Sequence, residues 1–62
     1  MPQLYVLEEL IPIESELVDN HYEKIIAHYQ NNGYNINYAD NLNQLNKGES
    51  YLDSEGKLKV KQ

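Results

Sequence analysis

The chain has 62 residues, a formal net charge of −5 and no Cys. That length makes a single domain over residues 1–62 and buries only about 60% of the surface of the unfolded chain. The missing Cys excludes disulfides and thiolate zinc sites, and the acidic balance disfavours nucleic acid and anionic membranes as direct partners.

Leu4-Tyr5-Val6-Leu7 is a short apolar run after Pro2 and reads as a buried strand. The alternative is a helix across residues 3–11, because Leu4, Leu7 and Ile11 share one helical face and Pro12 would end it. Pro12 forces Ile11 into an extended conformation. No signal peptide is expected, since the first residues lack a positive stretch and Glu8 and Glu9 interrupt the apolar run. No stretch approaches the roughly 20 apolar residues of a membrane span. A cytoplasmic location is the default expectation.

Ser15 reads as the N-cap of a helix over about 15–31, with Glu16 and Asp19 in the first turn, where carboxylates suit the helix dipole. Gly33 supplies its stop. Val18, Tyr22, Ile25, Ile26 and Tyr29 form one apolar stripe of this amphipathic helix. Tyr34-Asn35-Ile36-Asn37-Tyr38 alternates strictly and predicts a half-buried strand. Asp40 is placed to cap a short helix through Leu42 and Leu45 that ends at Gly48. Asp53-Ser54-Glu55-Gly56 predicts a turn joining two strands into a hairpin over about 50–61. In it Leu58 and Val60 are expected to face the core and Lys57, Lys59 and Lys61 the solvent.

The order β-α-β-α-β-β predicts an α+β domain: a parallel crossover, then a terminal hairpin, in one mixed sheet with helices on one face. Its main helix is the amphipathic one at 15–31.

Motifs for chemistry are missing. His21 and His28 lie seven residues apart, which on a helix is about 10 Å along the axis, too far to share a metal. Asp53-Ser54-Glu55-Gly56 lacks the later ligands of a calcium loop and reads as a turn. Gly48-Glu49-Ser50-Tyr51-Leu52 lacks the second Gly of a nucleophile elbow. The three glycines stand apart, so no phosphate loop exists. A non-enzymatic protein with no cofactor and no metal is the expectation. Lys57, Lys59 and Lys61 on an exposed strand read as protection of a sheet edge rather than as a nucleic-acid patch.

Charge segregation is the strongest functional sign. Residues 1–23 hold six acids and no Lys, whereas residues 24–62 hold five Lys and four acids. Glu16, Asp19 and Glu23 fall on one ridge of the helix opposite its apolar stripe, and Glu8, Glu9 and Glu14 precede them. Carboxylates at i, i+3 and i+7 stand about 5–6 Å apart, similar to phosphate spacing along a nucleic-acid strand. The expected activity is a small acidic protein-binding module, an inhibitor or modulator of a basic partner that imitates nucleic acid. A solvated face that merely suits the helix dipole is the plainer account of the same acids.

The alternative function is a structural or assembly subunit with a Tyr-rich oligomer interface. All six aromatic residues are Tyr. Tyr is enriched at interfaces, and Tyr34, Tyr38 and Tyr51 are the candidates. The Asn, Tyr, Ile and Lys bias matches AT-rich codons and a low-GC bacterial or viral genome.

Overall fold

The structure, a computed structural model, describes residues 2–12 and 21–62. The expectations for Ser15 as a cap, for Val18 in the apolar stripe, and for Glu14, Glu16 and Asp19 in the acidic ridge lie outside the described residues.

Four strands, β1 (Gln3–Leu7), β2 (Asn35–Ala39), β3 (Ser50–Leu52) and β4 (Leu58–Val60), form one sheet in the order β2-β1-β3-β4. β1 pairs in parallel with β2 on one side and β3 on the other, and β4 closes antiparallel on β3. The mixed sheet, the C-terminal hairpin and the α+β class are those the sequence predicts. So is the strand at Leu4–Leu7. It sits in the middle of the sheet, where both of its faces are covered, and this is why it reads as continuous apolar residues rather than alternating ones.

Among the described residues one α-helix, α1 (His21–Asn31), packs on the sheet. Its apolar stripe meets the sheet as the spacing predicts. Tyr22 is buried with Leu4, Val6 and Leu52, and Ile25, Ile26, Tyr29, Tyr34 and Ile36 pack against that cluster. Tyr29 and Tyr34 meet edge to face at a centroid distance of 5.4 Å, a favoured aromatic geometry. Gly33 ends the helix with φ +97°, and the Tyr34 N–H then returns to the Tyr29 carbonyl. Glycine adopts this left-handed conformation without steric cost.

Four expectations need correction. The helix capped by Asp40 is a single 3-10 turn, Leu42–Gln44, and its cap position is Asn41 with no side-chain bond. The reason is competition from side chains: the Asp40 N–H donates to the Gln44 Oε1 at 2.6 Å, and the Glu49 carboxylate takes the Asn46 N–H. Such local bonds replace the helix ladder. Nor does this connection share a face with α1. Tyr5 alternates with Leu4 and Val6, so it lies on the far face, and its hydroxyl donates to the Glu49 Oε2 at 3.1 Å.

Leu58 and Val60 do not join the core: they are 40% and 49% exposed. Their register with Leu52 and Ser50 puts them on the helix side of the sheet, but β4 is the edge strand and α1 covers the centre. Lys61, expected in solvent, is half-buried, and its Nζ donates to the carbonyls of Leu42 at 2.9 Å and Leu45 at 3.1 Å. It ties the 3-10 turn to the hairpin.

The hairpin turn is organised by Asp53. Its Oδ1 accepts the N–H groups of Glu55 and Lys57, both at 2.9 Å, and its carbonyl accepts the Gly56 N–H at 2.9 Å. The Lys57 N–H, then the Glu55 N–H and the nearby Lys59 and Lys57 charges, hold the Asp53 carboxyl below its usual range. Gly56 sits at φ +81° and is buried against Ile25.

Helix and turn are also joined by a hydrogen bond from the Tyr22 hydroxyl to the Asp53 carbonyl at 3.2 Å. Burial, and then the Asp53 charge, push the Tyr22 phenol above its ordinary pKa. In the unfolded chain Tyr ionises near 10.0. The unfolded state therefore loses its proton first, and the contribution of Tyr22 is intact below pH 10 and lost as pH rises through the folded pKa. Tyr22→Phe is expected to cost about 0.5–1.5 kcal/mol at neutral pH. It should also flatten the fall of Tm above pH 10 relative to the parent, which thermal melts across pH 7–11 will check.

Among the described residues, no helix is long and apolar enough to cross a membrane.

Candidate protein-interaction surface

Parallel pairing has a consequence for charge. β1, β2 and β3 end on the same side of the sheet, so the residues that follow them are brought together. Glu8 and Glu9 follow β1, Asp40 follows β2, and Asp53 and Glu55 follow β3. The Tyr22–Asp53 bond brings the start of the described helix, with Glu23 beside Tyr22, to that same end. Six of the seven described acids thus lie at the carboxyl end of the parallel strands. Lys47, Glu49 and the Lys61 backbone lie at the other end, and the Lys61 Nζ reaches back to the Leu42 carbonyl.

The acids are not equivalent. Asp53 pairs with Lys59 at 3.7 Å and Glu55 with Lys57 at 3.7 Å. Glu9 Oε2 accepts the Leu42 N–H at 2.8 Å, and the Glu9 N–H reaches the Asp40 carbonyl at 3.1 Å. Among the described residues no ion pair engages Glu8, Glu9, Glu23 or Asp40. Glu8, Glu9, Glu23 and Asp40 are exposed. Of the acids singled out in sequence, Glu8, Glu9 and Glu23 come together here. Asp40, Asp53 and Glu55 were not foreseen in the set, because only the sheet topology brings them there.

The candidate tyrosines are dispersed. Tyr34 is half-buried against Tyr29 and the core. Tyr51 is half-buried in β3, in register with Tyr5 on the face away from α1. Tyr38 stands on the edge strand β2 and is 70% exposed.

A shallow groove of about 280 Å³ runs between α1 and the hairpin turn, lined by His21, Lys24, Ile25, His28, Tyr29 and Gly56. His21, Lys24 and His28 follow i, i+3, i+7 spacing and share one side of α1. His28 also meets the Tyr29 ring edge to face at 5.6 Å. Among the described residues no group of three or more His, Asp or Glu side chains is arranged to hold a metal.

The chain matches no protein-family model, no curated protein and no solved structure.

Proposed function

We propose that the protein is a non-enzymatic, cytoplasmic binding module whose acidic end docks on a basic surface of a partner protein, as an inhibitor or modulator that imitates a run of nucleic-acid phosphates. One observation carries this reading. The parallel topology collects Glu8, Glu9 and Asp40 at one end, the Tyr22–Asp53 bond brings Glu23 there, and no ion pair among the described residues neutralises them. Concentrated charge of one sign raises the rate of encounter with an oppositely charged surface. The paired Asp53 and Glu55 add little free charge. The cytoplasmic setting and a low-GC bacterial or viral source belong to the same proposal.

The test is capture from a low-GC bacterial lysate by the parent chain, Glu8→Gln/Glu9→Gln/Glu23→Gln and Tyr38→Ala. The triple variant removes three exposed charges and should keep the fold, because exposed charges contribute little to stability and a Gln amide oxygen at position 9 can still accept the Leu42 N–H. The expected result is a basic partner held by the parent and by Tyr38→Ala. The triple variant should lose it at least tenfold, and raising salt from about 0.1 M to about 1 M, which shortens the screening length from about 10 to 3 Å, should release it. A captured protein that binds the triple variant as well as the parent overturns the acidic-docking reading.

A further inference from the structure

The two edges of the sheet differ in kind. β4 is three residues long and is flanked and interrupted by Lys57, Lys59 and Lys61. Lysines on an edge oppose strand addition. β2 is five residues long, Asn35-Ile36-Asn37-Tyr38-Ala39, with no charged residue and no Pro. It carries none of the usual charge or Pro devices that blunt an edge.

The hydrogen-bond phase of β2 is fixed by its pairing with β1. The Asn35 N–H donates to the Pro2 carbonyl at 2.8 Å, and the register runs from Gln3↔Asn35 to Leu7↔Ala39. In a parallel ladder alternate residues bond the same neighbour. Asn35, Asn37 and Ala39 therefore bond toward β1, and Ile36 and Tyr38 turn their N–H and C=O groups to the side where, among the described residues, no strand pairs. Side chains follow the same alternation. Ile36 and Tyr38 share the helix face with their partners Leu4 and Val6.

We propose that β2 pairs antiparallel with β2 of a second copy of this chain, about a two-fold axis at Asn37, to give a continuous eight-stranded sheet. The register follows from the open groups. Only an axis at Asn37 lets Ile36 exchange two hydrogen bonds with Tyr38 of the other copy and Tyr38 exchange two with its Ile36, so that all four open groups on each strand are used. An axis at Ile36 or Tyr38 wastes half of them. The same register lays the exposed Tyr38 ring over Ile36 of the other copy, an aromatic and β-branched pair of the kind that stabilises sheets. Asn37 meets Asn37 without charge. The antiparallel arrangement also sends the two acidic ends in opposite directions. The contact is isologous and closes at two copies. It is independent of the acidic-docking proposal.

The interface is small, so association is weak and concentration-dependent. Sedimentation equilibrium of the parent from about 10 µM to about 1 mM should show the mass rise from 7.3 kDa toward twice that value. Salt should strengthen it, since two chains of charge −5 repel each other. That is the opposite of the salt response expected for acidic docking, so the two proposals fail separately. Tyr38→Lys should raise the dimer Kd at least tenfold, and Leu58→Lys, on the other edge, should leave it unchanged. Amide exchange gives a readout that needs no variant: the N–H groups of Ile36 and Tyr38 should slow at least tenfold between the dilute and the concentrated sample. A parent that stays monomeric to 1 mM overturns the proposal. So does a dimer that Tyr38→Lys leaves intact, or one that forms without protecting those two amides.

Discussion

Leu52→Ala should lower stability by about 2–5 kcal/mol, whereas Leu58→Ala should cost under about 1 kcal/mol. The two leucines are opposite each other in the β3–β4 register and share one face of the sheet. They differ in cover. Leu52 is fully buried with Leu4, Val6 and Tyr22, and Leu58 is 40% exposed. Truncating Leu52 removes apolar contacts and leaves a cavity beneath α1, where Leu4 and Val6 are held by backbone pairing on both sides and cannot easily collapse into it. A domain of this length has only about 3–9 kcal/mol in total, so the Leu52 variant should melt at least about 10 °C below the parent or be unfolded at room temperature. Equal melting temperatures for the two variants would show that the helix does not seal this face.

Gly56→Ala is expected to cost about 2 kcal/mol or more, an unusually large effect for adding one methyl group to a turn. Two causes act together. Gly56 has φ +81°, where a side chain costs about 1–2 kcal/mol. A Cβ there would also overlap the Ile25 Cδ1 and crowd its Cγ2 at 3.2 Å. Ile25 has to change rotamer or α1 has to lift, and either change loosens packing against the core. Gly48 is the control. It has φ +91° with no atom within 4 Å of the added Cβ, so Gly48→Ala bears the conformational cost alone. Urea unfolding of both variants separates the terms: the excess for position 56 over position 48 measures the contact with Ile25. No excess would mean that the turn and helix do not press on each other.

Local signals in the sequence predict local structure well. The stripe Tyr22, Ile25, Ile26 and Tyr29 is legible because helical periodicity is set by packing on one side. The hairpin is legible because Asp53 and Gly56 each have one conformational preference, and the structure uses both. Alternation in β4 does identify which side Leu58 and Val60 face. It cannot say whether that side is covered, which depends on how far α1 extends across the sheet. Asn-rich residues 40–48 fit a helical spacing at Leu42 and Leu45, yet their polar side chains capture backbone groups first. Lys61 gives no sign in sequence of its bonds to Leu42 and Leu45, because those carbonyls are left open only by the irregular turn. The acidic end is half legible. Clustering along the chain marks Glu8, Glu9 and Glu23, and Asp40, Asp53 and Glu55 join them only because three strands run the same way.

The position of β1 in the sheet constrains the order of events during synthesis. The central strand precedes both of its neighbours in sequence, residues 35–39 and 51–52. Among the described residues it has no partner strand before residue 35. Until β3 is made, its apolar residues Leu4, Val6 and Leu7 have one open flank, and the loop to be closed is most of the chain. Contacts this distant in sequence slow folding, and an unpaired apolar strand is the species that aggregates. β1 therefore waits on two later segments: β2 covers one flank, and the other stays open until β3 and its hairpin are in place.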